Sequence, residues 1–434
     1  MGRYQLIPST NNLPQSERLR VIFPDHLGLA RGKVCSSEAL DAPVFCSSGA
    51  FNQLFDRSLL PPENRILETE GLSDVELRFS QSDIRAGWSS GMKVAIADVY
   101  SHETAFPLCQ RSALRRAVAD WQELGISPRI GLEIEGYAFR SDATIEPAPY
   151  AKDAYMYATG HVADPDGLFN RITNAASAND ISIESFSTEF GSGHFEFSMT
   201  HDEPVAAADN IFLFRELCRD IARESQNHIT FLGRPLANAE GSALHINLSL
   251  HDDIGNNMLS MSPLPQLARQ FIAGCLAHHR GLAAICNPTV NSYKRFGPGN
   301  IAGYWASWGF DHRLGVIRVP IVHGNVSRLE YRMADAATNP YLACAAVLQA
   351  GRLGVVHNLT CPDPATSAAA ESDDYEHAPR DLFDAIQLLR DDEQLCASIG
   401  STVVSHFLAI KGREWLNYVE SVTDWEVRTY FPIL

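Results

Sequence analysis

The chain of 434 residues has no excess of positive charge, because 35 Lys and Arg stand against 52 Asp and Glu and give a formal net charge of −17. Proteins that bind nucleic acid carry clustered Lys and Arg that neutralise phosphates. We therefore expect no nucleic-acid partner. Any phosphate-bearing ligand must be held by a few placed arginines or by a metal ion.

Paired cysteines and long apolar runs are also missing. The nine cysteines are odd in number, are scattered and form no CxxC pair, a pattern typical of reduced thiols in a cytoplasmic protein. The opening residues contain no apolar signal segment, and the most apolar helical stretch, 264–286, is interrupted by Arg269 and Arg280. We expect a cytoplasmic protein with no membrane partner.

A GxxxxGK[ST] loop is absent as well, so a nucleotide would not be bound in P-loop fashion. What the sequence does contain is first a series of short alternating runs broken by Pro, Gly, Ser and Asp, which predicts a small β-rich domain over 1–105. Apolar residues at helical spacing over 110–124 then begin a larger domain over 106–434. Further helices are predicted over 263–284 and 394–419.

The segment 130–139, IGLEIEGYAF, is the centre of the functional interpretation. As a strand of period two it places large aliphatic residues on one face, and Glu133 and Glu135 on the other, about 7 Å apart. Two like charges on a half-buried face repel each other, and a divalent cation between them would relieve the repulsion. The alternative is a solvated strand with two ordinary surface acids.

Two later segments repeat this polar alternation. Glu189 and Glu196 lie on either side of a Gly-Ser-Gly turn that can bring both acids to one point, although Glu189 alone could simply cap a turn. His245 shares a polar row with Asn247 and Ser249. These polar neighbours favour a role for His245 as a metal ligand over a role as a hydrogen-bonded structural histidine.

The last matching strand, 328–332, has Leu329 and Tyr331 inward and charged residues outward. One antiparallel sheet face would then present five carboxylates and an imidazole, with arginines nearby. The acids and the imidazole are Glu133, Glu135, Glu189, Glu196, Glu330 and His245, and the arginines are Arg295, Arg313, Arg318, Arg328 and Arg332. This set exceeds the needs of one Mg²⁺ or Mn²⁺ and predicts at least two oxygen-rich metal sites. Carboxylate-held metals beside arginines are what phosphoryl transfer from ATP requires.

Several separate motifs, in order over nearly the whole chain, resemble those of the glutamine synthetases. They are Glu133-x-Glu135; Glu189-Phe-Gly-Ser-Gly-His-Phe-Glu196; Gly241-Ser-Ala-Leu-His245-x-Asn-x-Ser249; Asn287-Pro-Thr-Val-Asn-Ser-Tyr-Lys-Arg295; and Arg328-Leu-Glu330-Tyr-Arg332 followed by Asn339-Pro-Tyr. The resemblance implies an α+β fold, with a small N-terminal β-grasp domain and a catalytic domain built on a curved antiparallel sheet flanked by helices. It also implies ATP and Mg²⁺ or Mn²⁺ as cofactors, and a homo-oligomer, a hexameric ring or stacked dodecamer, with active sites between subunits.

The same resemblance implies a role for each candidate residue. One metal ion would be held by Glu135, Glu189 and Glu196, and the other by Glu133, His245 and Glu330. The ATP contacts would be Asn247, Ser249, Arg313, Arg318 and Arg328, the glutamate contacts would be Gly241, Arg295 and Arg332, and the catalytic residues would be Arg313 and Arg295.

The reaction that the resemblance implies joins glutamate to an amine through a γ-glutamyl phosphate. In ammonia-using glutamine synthetases, an acid in the loop after the Lys-Arg motif helps to bind and deprotonate ammonium, whereas Ile301 stands at that position here. A second acid, contributed by the N-terminal domain of the neighbouring subunit, is replaced by Cys46. Losing both acids removes the attraction for a small cation and leaves an apolar wall.

We therefore expect a γ-glutamyl-amine ligase that resembles the γ-glutamylpolyamine synthetase branch and acts on a polyamine or a hydrophobic monoamine. Ile301 favours an amine with an apolar body. The alternatives are a true ammonia-using glutamine synthetase and a glutamine-synthetase-like protein that acts as a sensor or scaffold without catalysis.

Four further positions depart from the family pattern. His194 stands where Gln is usual, Asn247 where His is usual, His312 where Asn is usual and Arg234 where Lys is usual. Asn247 puts one phosphate contact in question, but none of the four replaces an implied metal ligand. Since a lost ligand would mark a non-catalytic relative, the sequence favours an active enzyme.

Overall fold

The computed structural model describes residues 17–36, 42–67, 72–141, 148–260, 263–297, 300–365 and 375–434. Its strands are β1 (Arg18–Pro24), β2 (Ala30–Ser36), β3 (Val44–Ser47), β4 (Asp74–Arg78), β5 (Ile84–Ala86), β6 (Met92–Ile96), β7 (Asp98–Ser101), β8 (Thr104–Ala105), β9 (Ser127–Arg140), β10 (Ala148–Pro149), β11 (Ile183–Thr188), β12 (His194–Met199), β13 (Asn227–Thr230), β14 (Leu244–His251), β15 (Trp305–Phe310), β16 (Gly315–Val319), β17 (Ile321–Val322), β18 (Asn325–Val326) and β19 (Leu329–Tyr331). Its α-helices are α1 (Gln110–Gln122), α2 (Leu168–Ala178), α3 (Pro204–Glu224), α4 (Gln266–Ala277), α5 (His279–Cys286), α6 (Pro340–Val356), α7 (Leu382–Asp391), α8 (Glu393–Ile399), α9 (Ser401–Glu420) and α10 (Asp424–Tyr430).

The N-terminal part is β-rich. Strands β1 to β8 form two four-stranded sheets, in the orders β2-β1-β6-β5 and β3-β4-β7-β8. Leu19, Val21 and Phe23 of β1 are fully buried in a core of this part, whereas Ile22 points the other way and joins the main core of the chain. Apolar side chains of β1 thus pack into a core on each face of the first sheet.

The larger part is built on a nine-stranded sheet. Its main path is β11-β12-β9-β14-β19-β16-β15, and β10 and β13 also pair with the long strand β9. Ile130, Leu132 and Ile134 of β9 are fully buried, and α1 and α3 pack against this strand. The helices therefore cover the apolar face and leave the polar face for function. These sheets and helices confirm the predicted α+β fold, although β15 and β16 pair in parallel. The division into domains over 1–105 and 106–434 stays a prediction.

Two segments that were each predicted as one helix are divided. The segment predicted over 263–284 forms α4 and α5, which meet at His278, and His278 Nδ1 lies 2.7 Å from Asp392 Oδ2. The helix predicted over 394–419 breaks at Gly400, whose φ of 124° is incompatible with a helix. Within the described residues, no single helix is apolar and long enough to span a membrane, while α8 with the segment Ser401–Tyr430 passes that test only as a pair bent by 112°.

A buried histidine pair lies where α9 packs on the N-terminal part. The rings of His26, which follows β1, and His406, on α9, are buried with their centroids 5.3 Å apart. His406 Nε2 lies 2.7 Å from the carbonyl oxygen of Phe51, so we assign the neutral tautomer that donates to this oxygen. Burial lowers the pKa of His406 from 6.5 to about 4 and also lowers the pKa of His26.

This pair predicts a loss of stability in acid. Because both pKa values are lower in the fold than in the unfolded chain, their contribution is present above about pH 6.5 and is lost as the pH falls towards 4. We expect His406→Gln, which can still donate to Phe51, to lose less free energy of unfolding between pH 7 and pH 4.5 than wild type, by on the order of 2 kcal/mol. Denaturant unfolding at the two pH values measures this difference. The exposed His357→Gln serves as control, and equal losses in wild type and His406→Gln would contradict the prediction.

Candidate active site

Four strands bring predicted ligands onto one face of the large sheet. Strand β9 carries Glu133 and Glu135, and the antiparallel register places Glu196 of β12 opposite Glu135 and His245 of β14 opposite Glu133. Glu330 of β19 follows on the far side of β14. Residues from remote parts of the sequence therefore converge because their strands are neighbours.

His245 lies at the centre of this group. Its Nδ1 atom is 3.2 Å from Glu133 Oε2 and 4.0 Å from both Glu196 Oε2 and Glu330 Oε1. Its Nε2 atom is 3.9 Å from Glu135 Oε1. One ligand atom each from Glu133, Glu196 and His245 lies within 4.8 Å of the other two. This compact group mixes the two ligand sets that the resemblance implies, since Glu196 comes from one set and the other two residues from the second.

Glu189 joins the group through the turn that precedes β12. Its N–H donates to the carbonyl oxygen of His194 at 3.0 Å and closes the Gly-Ser-Gly turn. Burial and the nearby carboxylate of Glu135 raise the pKa of Glu189. The turn therefore brings Glu189 close enough to Glu135 for their charges to interact.

Glu330 is held by two arginines. Arg318 Nη1 lies 2.7 Å from Glu330 Oε2, and Arg332 forms an ion pair with Glu330 Oε1. Burial alone would raise the pKa of Glu330, but Arg332, His245 and Arg318 outweigh it and hold the pKa at about 2. Glu330 is thus ionised, with its charge balanced from within the chain.

The remaining acids carry more negative charge than the chain balances. Burial alone would raise the pKa of Glu135, but the imidazoles of His194 and His245 hold it at about 2. For Glu196, burial outweighs the effect of His245 and, with the nearby carboxylates of Glu135 and Glu133, raises the pKa to about 8. The raised pKa means that Glu196 holds a proton because the chain supplies too little positive charge beside it. A divalent cation would supply that charge, and Mg²⁺ and Mn²⁺ prefer oxygen-rich ligand sets such as this one.

A cavity of about 420 Å³ opens along the sheet beside this group. Glu133, Asn247, Ser249 and Arg328 contribute to its lining. Arg328 Nε donates to Asn247 Oδ1 at 2.9 Å, so an amide at this position orients the guanidinium. Three of the five predicted ATP contacts thus share one cavity of a size that ligands of this kind occupy.

The other two predicted ATP contacts lie outside the lining of that cavity. Arg318 is engaged with Glu330 and also with Asp311, whose Oδ1 atom lies 3.1 Å from Arg318 Nη2. Arg313 is exposed, and its side chain makes no hydrogen bond or ion pair to a described residue. Its backbone carbonyl oxygen accepts a hydrogen bond from Arg332 Nε at 3.3 Å.

A second, smaller cavity of about 50 Å³ is lined in part by Glu135. It brings together the three predicted glutamate contacts, Gly241, Arg295 and Arg332, with Ile301. A Cβ atom at Gly241 would lie 2.4 Å from Arg295 Cγ, so only glycine allows the backbone to pass this guanidinium side chain. Arg295 is buried and donates from Nη1 to Asn287 Oδ1 at 2.9 Å.

The strand 328–332 departs from the prediction in one respect. Glu330 and Arg332 were expected to point outward, yet they are only 2 % and 1 % exposed. They do lie on the polar face of the sheet, but the backbone at Ile301 and Arg313 covers Arg332 and accepts its hydrogen bonds. The outward row predicted for this strand is therefore, at Glu330 and Arg332, a buried charged layer.

Cys46 is not brought to the site within one chain. It belongs to β3, where it packs against the N-terminal core, and it lines neither cavity. Burial raises the pKa of its thiol to about 11, so the thiol stays protonated at neutral pH. Its predicted place in the amine site would require a second copy of the chain.

Several lining residues were not predicted. Phe190, Glu240 and Asn300 line the smaller cavity. Phe190 follows the predicted residue Glu189 and Glu240 precedes the predicted residue Gly241, so their positions in the sequence could have identified these two. Asp335 is fully buried, and its charge interacts with Arg295. Nothing in the local sequence pattern marks this aspartate.

Comparisons with known proteins identify the family of the chain. The family model described as glutamine synthetase, catalytic domain, matches residues 107–430. The chain is 32% identical over 428 residues to the glutamine synthetase of Clostridium saccharobutylicum, with 95% of each chain covered. A solved structure described as "Apo GmaS without ligand", where GmaS is γ-glutamylmethylamide synthetase, is 25% identical with a TM-score of 0.82 over 96% of both chains. The glutamine synthetase of Plasmodium falciparum is 18% identical and has a TM-score of 0.84 over 98% of both chains.

The large sheet, its acidic face and these matches define a ligase that forms C–N bonds. More particularly, the chain belongs to the glutamine synthetase family.

Proposed function

We propose that this protein uses ATP to join the γ-carboxylate of glutamate to an organic amine, a hydrophobic monoamine or a polyamine, in preference to ammonia. The observation that carries the proposal is the apolar opening of the smaller cavity. Ile301 and Phe190 line this cavity beside Arg295 and are 39% and 61% exposed. An alkyl or aryl amine can bury its apolar body against these side chains, whereas ammonium gains nothing from them.

The metal centre is proposed on the acidic face of the sheet. The residues that would hold two divalent cations are Glu135, Glu189 and Glu196 for one, and Glu133, His245 and Glu330 for the other. When bound, such ions neutralise and orient the phosphates of ATP. Support comes from the shared face and from the pKa of about 8 at Glu196, which shows that the acids lack enough positive partners in the chain.

ATP is proposed to occupy the larger cavity, and glutamate to bind at the residues that line the open smaller one. Arg328, positioned by Asn247, faces the nucleotide together with Ser249. Arg295 and Arg332 hold the carboxylates of glutamate near the backbone of Gly241. Glu135 and His245 line the smaller cavity, and His245 Nδ1 lies 3.2 Å from Oε2 of Glu133, which lines the larger one, so the phosphate chain of ATP and the γ-carboxylate are proposed to meet at the acidic face.

Two chemical steps follow from this placement. A γ-carboxylate oxygen attacks the terminal phosphorus of ATP, the bond to ADP breaks, and γ-glutamyl phosphate forms. The amine then attacks the acyl carbon, the bond to phosphate breaks, and the proton lost by the nitrogen is taken up by the departing phosphate. Arg313, whose exposed guanidinium has no polar partner among the described residues, neutralises the charge that develops on the transferred group. We propose that the active protein is a homo-oligomer, a hexamer or a dodecamer, with its active sites between subunits.

An amine panel tests the proposal. With ATP, glutamate and Mg²⁺ or Mn²⁺, we expect kcat/KM for a hydrophobic monoamine to exceed that for ammonium by at least about tenfold, since burying two methylene groups is worth roughly 1.5 kcal/mol. Putrescine and spermine complete the panel, and phosphate release is the readout. Ammonium as the best substrate would contradict the proposal, and absence of turnover with every amine would favour a non-catalytic role.

A variant pair connects this preference to the apolar opening. Ile301→Glu restores an acid at the cavity and should shift the preference towards ammonium. The matched control is Ile321→Glu, because Ile321 is similarly exposed at 43% and lines neither cavity. If both variants keep the wild-type preference, Ile301 does not select the amine.

A further inference from the structure

His194 is a buried side chain of the site that has no role in the proposed function. It begins β12 and is 4% exposed. Its ring stacks on Tyr137 with the centroids 4.4 Å apart and the planes 4° from parallel. Tyr137 is fixed in turn, because its hydroxyl donates to the carbonyl oxygen of Glu240 at 2.8 Å. The imidazole plane is therefore held in one orientation.

Both ring nitrogens of His194 are buried; Nε2 faces the carboxylate of Glu135, whereas Nδ1 makes no hydrogen bond or ion pair to a described residue. Leaving a buried polar group unpaired costs about 1–3 kcal/mol. The ring lines the same small cavity as Glu135 and Glu189. A partner from outside the chain, in that cavity, would remove this cost.

The distance to Glu135 indicates what kind of partner this is. His194 Nε2 lies 3.4 Å from Glu135 Oε2, while His245 Nε2 lies 3.9 Å from Glu135 Oε1. Two ligands of one cation, each bound at about 2.1 Å, lie roughly 3 to 3.5 Å apart. The nitrogen and the carboxylate oxygen thus have the separation of two ligands that share an ion.

We propose that His194 is a fourth protein ligand of the ion held by Glu135, Glu189 and Glu196, and that its imidazole makes this site select a divalent transition-metal ion such as Mn²⁺ over Mg²⁺. The inference rests on the metal centre of the proposed function. Mg²⁺ is bound almost wholly by oxygen, whereas imidazole nitrogen favours transition metals. A glutamine at this position, the residue usual in the family pattern, offers only an amide.

The first experiment compares metal preference, which does not depend on turnover. Mn²⁺ binding to wild type, His194→Gln and His228→Gln is measured by the EPR signal of free Mn²⁺, with Mg²⁺ as competitor. His228 lies on β13 and is exposed, so it is the matched histidine control. We expect His194→Gln to weaken Mn²⁺ binding on the order of tenfold or more, with a much smaller change for Mg²⁺, and the control to match wild type. An unchanged ratio of Mn²⁺ to Mg²⁺ affinity in a folded His194→Gln protein overturns the proposal.

The second experiment is decided on the wild-type protein, so it holds even if the variant fails to fold. Pulsed EPR of the Mn²⁺-saturated wild-type protein, with ¹⁵N-labelled histidine, reports the imidazole nitrogens bound to manganese. We expect two per chain, from His194 and His245, and one after His194→Gln. A single coupled nitrogen in wild type overturns the role of His194 and leaves the proposed metal centre intact, whereas the absence of any bound Mn²⁺ overturns both.

Discussion

Glu196→Gln is expected to lower the rate of γ-glutamyl amide formation by about 10³-fold while leaving the metal-free protein at least as stable as wild type. Glutamine has nearly the shape of a protonated glutamic acid. In the metal-free protein Glu196 already keeps its proton near neutral pH, because burial and the neighbouring carboxylates raise its pKa to about 8. A bound cation needs the ionised carboxylate, which the amide cannot provide. Activity and stability should therefore change in opposite directions.

The pH dependence of stability sharpens this test. A carboxyl group whose pKa is raised from 4.5 to about 8 in the fold stabilises it fully below about pH 4.5, and this contribution is lost as the pH rises through 8. Glu196→Gln cannot ionise at this position, so it does not lose this stabilisation at high pH. With a chelator at pH 8.5, the variant should therefore melt at a higher temperature than wild type. Adding Mn²⁺ should reverse the order, because only wild type keeps the full ligand set.

Thermal melts at pH 6.5 and pH 8.5, with chelator or with Mn²⁺, are paired with the amine-dependent release of phosphate. Glu420→Gln, at the exposed end of α9, controls for the loss of one negative charge. Wild-type activity in Glu196→Gln would exclude Glu196 as a metal ligand. A variant that is less stable than wild type in chelator at both pH values would instead show that the carboxyl group supports the fold.

The sequence predicted the strands of the site well because one physical pattern marks each of them. Alternation of apolar and polar residues placed a strand over 130–139, and β9 extends only a few residues beyond it, from Ser127 to Arg140. Period two also separates Glu133 and Glu135 from the aliphatic face. Alternation cannot say which strands are neighbours, so the placement of β9 between β12 and β14 was accessible only through the resemblance to a family.

The features that the sequence did not reveal depend on contacts between remote segments. Gly400 and His278 interrupt helices whose apolar periodicity continues on both sides, so the pattern alone predicts one helix each time. Arg332 is buried because the backbone at Ile301 accepts its hydrogen bond, and nothing within the strand itself signals that cover. Cys46 could be assigned to the amine site only by alignment, and its position in β3 leaves its role dependent on a neighbouring subunit.

Arg313→Ala is expected to lower kcat by about 10²–10³-fold with little change in stability. Its guanidinium is exposed and makes no hydrogen bond or ion pair to a described residue, so its removal leaves no buried group unpaired. The backbone carbonyl oxygen that accepts from Arg332 Nε is retained in the variant. The effect should therefore arise only in the reaction, where the proposed role of Arg313 is to neutralise charge on the transferred phosphoryl group.

The kinetic signature separates Arg313 from Arg328, which lines the larger cavity. If Arg313 acts mainly in the transition state, Arg313→Ala lowers kcat and leaves KM for ATP nearly unchanged, whereas Arg328→Ala, which also frees Asn247, should raise KM for ATP. Arg313→Lys keeps the charge without the planar fork and should fall between wild type and alanine. Arg428→Ala, at an exposed position on α10, controls for the loss of one surface charge. A raised KM with unchanged kcat in Arg313→Ala would assign this residue to nucleotide binding alone, because an interaction that acts equally before and during phosphoryl transfer cannot accelerate it.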